Sequence, residues 1–260
     1  GGYSAAYISK ILVNYNLPPV VQLVLVSLFG GVVAALFGFL VGASTLRLRG
    51  DYLAIITLAF GEIVKYIVQN LDFLGGATGL NNIPRIIDFS NSYFIVVISI
   101  IIIAMAMTSR KGKEILSIRE NEIAAENIGM RLNRIKLYGF AFSAFFAGVG
   151  GSLFAHNVGI LKPDKFGFLF SIEILVMVVL GGLGSITGAI LAAILLTSLN
   201  EVLRDVSQFR YLVYAIILIA LMIFRPTGIF GTKEFTFAGT KRRLNRIRNY
   251  RNNKAESKKS

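Results

Sequence analysis

Ionisable side chains are sparse over most of this 260-residue chain, and those whose spacing could do work stand in two places. The first is RENEIAAENIGMRLNRIK, residues 119–136. On a helix over 114–129, Glu122, Ala125, Glu126 and Gly129 fall at i, i+3, i+4 and i+7 and share one face. An apolar stripe at this spacing would be buried. An acidic face of small residues instead suits close docking by a partner surface. The bland alternative is an ordinary polar loop. The second place is Glu62, with Lys65 three positions on, inside an apolar stretch. The two can pair on one helix face. They form either a self-satisfied ion pair or a polar spot facing a path across the membrane.

Neither place holds catalytic machinery. There are no paired acids on a polar helix, no Ser–His–Asp set on a suitable scaffold and no metal-ligand cluster. The chain has no cysteine and one histidine, His156. Thiol redox chemistry, disulfides and Cys/His zinc sites are therefore excluded. GGLGSITG (181–188) lacks the Gly-Lys-Ser/Thr ending of a phosphate loop. The expectation is a protein that is not an enzyme, with no cofactor and no metal.

The elements that carry these residues are apolar. Hydrophobic residues make up 55% of the chain and the mean hydropathy is +0.67. Uninterrupted apolar runs of about 18 or more residues point to membrane-crossing helices. A barrel would show short alternating segments, which are absent. Residues 1–16 read as the end of a helix, so the chain is expected to be N-terminally incomplete. Spans follow at 20–45, 51–70, 92–108 and 136–157. Residues 171–203 are long enough for two passes broken at GGLGS (181–185), and 210–225 form the last span. Residues 71–91 and 158–170 are loops. The fold class is all-α: a polytopic transmembrane helical bundle of about seven full spans plus a partial N-terminal one. His156, at the end of its span, is expected to be a satisfied interfacial residue.

Alternation of the spans puts 46–50, 109–136 and 225–260 on one side. These segments hold 20 of the 27 Lys and Arg residues, which places them in the cytoplasm. Residues 1–232 are thus a membrane domain with a cytoplasmic segment at 109–136. Residues 233–260 are a basic, disordered cytoplasmic tail. Its charge fits anchoring at anionic lipid better than nucleic-acid binding, so no nucleic acid is expected as a partner. Small residues recur at four-residue spacing: Ala34, Gly38 and Gly42; Ala147 and Gly151; Gly184, Gly188 and Ala192. Such faces let helix backbones approach closely in lipid. Gly38, Gly42, Gly151, Gly181, Gly182, Gly184 and Gly188 are accordingly expected to serve helix packing or gating.

Residues 119–136 also resemble the coupling segment of bacterial ABC-importer permeases, with Ala124, Ala125 and Gly129 in its alanine–alanine–x–x–x–glycine positions. The resemblance extends to LRLRGDYLAIITLAFGEIVKYIVQN (46–70), GGATGLNNIP (75–84), the whole of 119–155, VLGGLGSITGAILAA (179–193) and FRPTGIFG (224–231). Together, and in this order, they are similar to the LivM-type permeases of branched-chain amino-acid importers over roughly residues 1–232. The family has further N-terminal membrane sequence. The resemblance implies a multi-pass subunit of the bacterial inner membrane that does not hydrolyse ATP, with its C-terminus in the cytoplasm. It implies a second homologous permease and two cytoplasmic ATP-binding subunits. It also implies an extracytoplasmic substrate-binding protein. Arg119, Glu120, Glu122, Ala124, Ala125, Glu126 and Gly129 would form the ATPase-coupling site, and Glu62 would lie on the translocation path. Urea, amides or other amino acids are alternative cargoes. A self-contained secondary transporter is the alternative of another class.

Overall fold

The structure, a computed structural model, describes residues 1–15, 18–48 and 50–202, together with residues 216 and 219. The expected span at 210–225 and the basic tail at 233–260 fall almost wholly outside the described residues. Among those described, the chain is helical: α1 (Gly2–Leu12), α2 (Pro19–Thr45), α3 (Asp51–Gln69), α4 (Phe89–Thr108), α5 (Arg110–Glu120), α6 (Glu122–Asn127), α7 (Leu132–Val158), α8 (Phe168–Gly181) and α9 (Ile186–Val202). Among the described residues four helices are long and apolar enough to cross a membrane: α2, α3, α4 and α7. The helix α8 has 14 residues, short of the roughly 20 that a bilayer core asks for, and α9 is described as far as Val202. The chain divides into two compact units, Gly1–Phe170 and Ser171–Ser260.

The first unit is organised by α2 and α7. Each has 27 residues, and they run antiparallel: Ser27 meets Ser152 near one end, Gly31 lies under Phe145, and Gly42 lies under Leu137 and Phe140 near the other. In lipid no water is squeezed out when helices pair, so association depends on close packing. Gly38 lies against Ala144, and Gly148 against Ala34 and the Gly30 carbonyl. The helix α1 runs beside both, with Gly1 against Gly148 and Gly2 against Gly151. Pro19 starts α2, where its missing N–H costs nothing. Gly159, in the left-handed region at φ 78°, ends α7.

Polar side chains gather at one end of this seam. Ser27 Oγ and Ser152 Oγ share a hydrogen bond of 3.2 Å, Gln22 Nε2 donates to the Ser9 carbonyl at 3.2 Å, and His156 Nδ1 donates to the Ser152 carbonyl at 2.7 Å. All five side chains are buried. His156 is therefore not the interfacial residue that its place at the end of a span suggested. It is fully enclosed, because α1 covers the face of α7 that the sequence pattern leaves open.

In the second unit α8 and α9 join through the GGLGS break. Gly181 and Gly188 face each other at the crossing, and Val176, Leu180, Ala192 and Leu196 form the core beside it. Gly182 and Gly184 have φ of 114° and 102°. They make the turn, which other residues would enter only under strain. Gly184 thus precedes α9 and does not share a helix face with Gly188 and Ala192, correcting that part of the four-residue pattern.

The seam gives a paired prediction. A Cβ at Gly148 would come within 2.5 Å of the Ala34 Cβ and 2.6 Å of the Gly30 carbonyl, whereas one at Gly150 would meet nothing. Gly148→Leu is expected to destabilise the protein by about 1–3 kcal/mol through overpacking, and Gly150→Leu to be neutral. Thermal unfolding of the two purified variants in one detergent checks the difference.

Candidate functional site

The polar segment between α4 and α7 folds as two helices, not the single one expected over 114–129. Ser109 caps α5, its Oγ accepting from the Gly112 N–H at 3.2 Å. Asn121 then adopts an extended conformation, φ −157° and ψ 106°, and its side-chain oxygen accepts from the Ala124 N–H at 3.0 Å. An asparagine that can bond the backbone this way favours a new helix start over continuation. The break assigns Arg119 and Glu120 to α5 and Glu122, Ala124, Ala125 and Glu126 to α6.

Gly129 closes α6. With φ 83° it sits in the left-handed region. Its N–H donates to the Glu126 carbonyl at 2.9 Å, and the Met130 N–H donates to the Ala125 carbonyl at 3.2 Å. This is the Schellman arrangement. Any side chain at 129 would strain the turn, so that position reports the local fold as well as any docking.

The short helix is held from three sides. Lys136 Nζ on α7 reaches Glu122 Oε1 at 2.7 Å. Ser117 Oγ contacts Met130 Sδ at 3.5 Å. Ala125 is turned inward, only 3% exposed. Ala125 therefore packs the segment, and it does not share an open face with Glu126 and Gly129. What α6 and its C-terminal turn expose instead is Ala124, Glu126 and two isoleucines, Ile123 and Ile128, at 73% and 72%. Sequence reasoning looked for an acidic face and passed over them. The signal was available: two isoleucines stand in an otherwise polar stretch where no lipid or core was expected to take them. Arg119 and Glu120 form an exposed pair at 2.8 Å.

Glu62 lies on α3 and is paired. Lys65 Nζ stands 3.3 Å from Glu62 Oε2 and 3.7 Å from Asp164 Oδ1, and Gln69 Nε2 donates to the same Asp164 oxygen at 2.9 Å. The loop carrying Asp164 is fixed across the chain. Leu80 and Leu161 exchange backbone hydrogen bonds of 2.8 and 3.0 Å, the Ile83 N–H donates to the Gly159 carbonyl at 3.2 Å, and the Tyr3 hydroxyl donates to the Leu161 carbonyl at 3.0 Å. Gly79, with φ 84°, lies directly on the Leu161 carbonyl, where no Cβ would fit. The i,i+3 pair was readable from spacing. Asp164, some hundred positions away in sequence, was not.

These features define a multi-pass α-helical membrane protein with a built polar helix pair inserted between two of its spans. Residues 1–225 match the family described as the branched-chain amino acid transport system/permease component, and the chain belongs to that family. It is 37% identical over 234 residues to the high-affinity branched-chain amino acid transport system permease protein LivM of Salmonella typhimurium, covering 76% of this chain and 55% of that protein. BraD of Pseudomonas aeruginosa, a permease protein described in the same terms, is 30% identical over 168 residues, covering 63% of this chain and 54% of its own. LivH of Escherichia coli, likewise a permease protein of such a system, is 30% identical over 129 residues, covering 48% and 41%. The chain thus spans about half the length of the curated relatives it matches. No solved structure matches it significantly.

The network around Lys65 makes a prediction. Glu62→Gln and Lys65→Met are expected to be non-additive in a double-mutant cycle on thermal stability, with a coupling of about 0.5–1 kcal/mol. Strict additivity would show that the pair contributes nothing.

Proposed function

We propose that the chain is the membrane-spanning permease subunit of an ATP-driven importer for branched-chain amino acids. The observation that carries this reading is the exposed face of α6. Ile123, Ala124 and Ile128 are presented to solvent by a helix fixed at its start by Asn121, at its end by Gly129 and on its flank by Lys136. A rigid, partly apolar face outside the spans suits a partner protein that pushes on it. The Glu122–Lys136 pair joins that face to the 27-residue α7. Arg119, Glu120 and Glu126 supply a charged rim.

In this reading the partners are a second homologous permease, two cytoplasmic ATP-binding subunits and an extracytoplasmic substrate-binding protein. The family membership and the similarity to both LivM and LivH support the pairing of two permeases. The α5–α6 end and the C-terminus face the cytoplasm of a bacterial cell. ATP hydrolysis belongs to the partners. Closure of the ATPases moves α6, and α7 passes that movement to the bundle. The outward- and inward-open states then exchange because the partners bind them with different affinity. Glu62, neutralised by Lys65, serves α3 as a structural pair beside the path.

Ala124→Trp places bulk on the exposed start of α6 without touching Gly129. It is expected to lower ATP-dependent leucine uptake by at least about tenfold and to lose the ATP-binding subunits on purification, with membrane insertion unchanged. Leu40→Trp, on the exposed face of α2, is expected to retain both. Full uptake by Ala124→Trp, or uptake without ATP, would reject the reading.

A further inference from the structure

A cavity of about 400 Å³ opens where the C-terminal end of α2, the helix α6 and the first turn of α7 come together. Its size is that of a small-ligand site. Its charged lining is Arg47, Arg131, Arg134 and Lys136 against Glu122 and Glu126. Lys136 is committed to Glu122 at 2.7 Å. Arg47, Arg131 and Arg134 enter no ion pair with a described residue. Three arginines, all exposed, therefore line one polar space, and among the described residues lining it Glu126 is the one carboxylate outside the Lys136 pair. Water screens the repulsion among them, and their summed charge still favours an anion over a cation in that space.

The chemistry of that anion follows from the side chains. A guanidinium presents a rigid planar fork of donors that matches two oxygens of a phosphate or carboxylate. Three forks from two elements, Arg47 after α2 and Arg131 and Arg134 at the start of α7, suit a tetrahedral group with several oxygens better than a planar carboxylate. The start of α7 adds to this. Arg131 occupies its N-cap position with no side-chain cap, so the first N–H groups of a long helix lack a side-chain acceptor at the positive end of its dipole. The arginines and the cavity carry the inference, and the helix end reinforces it.

We propose that this cavity binds a phosphate group of an anionic ligand. Two membrane-crossing helices end at it, which places it at the depth of lipid headgroups, where basic pockets hold anionic phospholipids. A soluble phosphate offers the same chemistry. The site rests on the cavity and on the membrane class of the protein. It does not rest on the docking of ATPases at α6.

Native mass spectrometry of the purified full-length permease complex in detergent, titrated with short-chain phosphatidylglycerol or phosphatidylcholine, tests the proposal. Phosphatidylglycerol is expected to bind at least about tenfold more tightly. Arg47→Gln, Arg131→Gln and Arg134→Gln should each weaken it by about fivefold. Lys113→Gln removes an exposed cation on α5 outside the cavity and should change nothing. Displacement of the lipid by millimolar inorganic phosphate would support the site and show that it accepts the free anion. Retention in phosphate would support it and assign it to the headgroup. Equal weakening by Lys113→Gln would reduce the effect to diffuse surface charge and overturn the proposal. So would equal binding of the two lipids. Loss of the ATP-binding subunits in Ala124→Trp with phosphatidylglycerol binding intact separates this site from the coupling face.

Discussion

Close approach of α2 and α7 is the constraint on which the rest of the first unit depends. In water, two apolar helices associate because their contact removes apolar surface from solvent. Between spans in lipid that drive is missing, and what remains is packing distance and hydrogen bonding. Gly31, Gly38 and Gly42 on one helix and Gly148 on the other lack the Cβ that would hold the axes apart, and Ala144 places only its Cβ against Gly38. The cost of glycine inside a helix, about 1 kcal/mol each relative to alanine, is accepted along the seam because only there does it shorten the distance between axes. The Ser27–Ser152 hydrogen bond then fixes the register along the seam.

Both built ends of the unit hang from α7. At its start, Lys136 holds α6, and Arg131 and Arg134 line the cavity. At its finish, Gly159 turns the chain so that Leu161 can pair with Leu80 and bring Asp164 to Lys65. A helix of 27 residues is about 40 Å long, enough to join the two faces of a bilayer as one rigid element. Because α7 is clamped along its length by α2 and α1, a displacement at one end cannot be absorbed by sliding. It must move the seam as a body or break it.

Much of this was legible in the sequence, for a physical reason in each case. The four long spans were readable because a chain segment that apolar and that long finds its lowest free energy across a bilayer. The break at 181–185 was readable because three glycines interrupt such a run, and the Glu62–Lys65 pair because i,i+3 contacts are local. What was not legible depends on partners distant in sequence or on competition between local states. Asp164 reaches Lys65 only through the Leu80–Leu161 pairing. His156 is enclosed because α1 and α2 both pack on α7. Ala125 looked like part of an open face because a helical wheel gives spacing and not direction: Glu122 and Ala125 do share a side of α6, and that side is turned inward, where Lys136 of α7 takes Glu122. With that side occupied, Ile123 and Ile128 are left at the surface.

The polar cluster at the far end of the seam adds a further constraint. Ser9 Oγ and His156 Nε2 are buried with no hydrogen-bond partner among the described residues. The antiparallel register that pairs Ser27 with Ser152 brings His156 level with the Gln22–Leu23 turn of α2, and Gln22 in turn bonds the Ser9 carbonyl. The two unsatisfied groups therefore lie in one layer of the three-helix core. Polar groups in so apolar a setting cost free energy unless they are paired, which is why the other polar groups of this layer bond one another. The seam is thus lined by glycines along its middle and by polar side chains where α1, α2 and α7 meet.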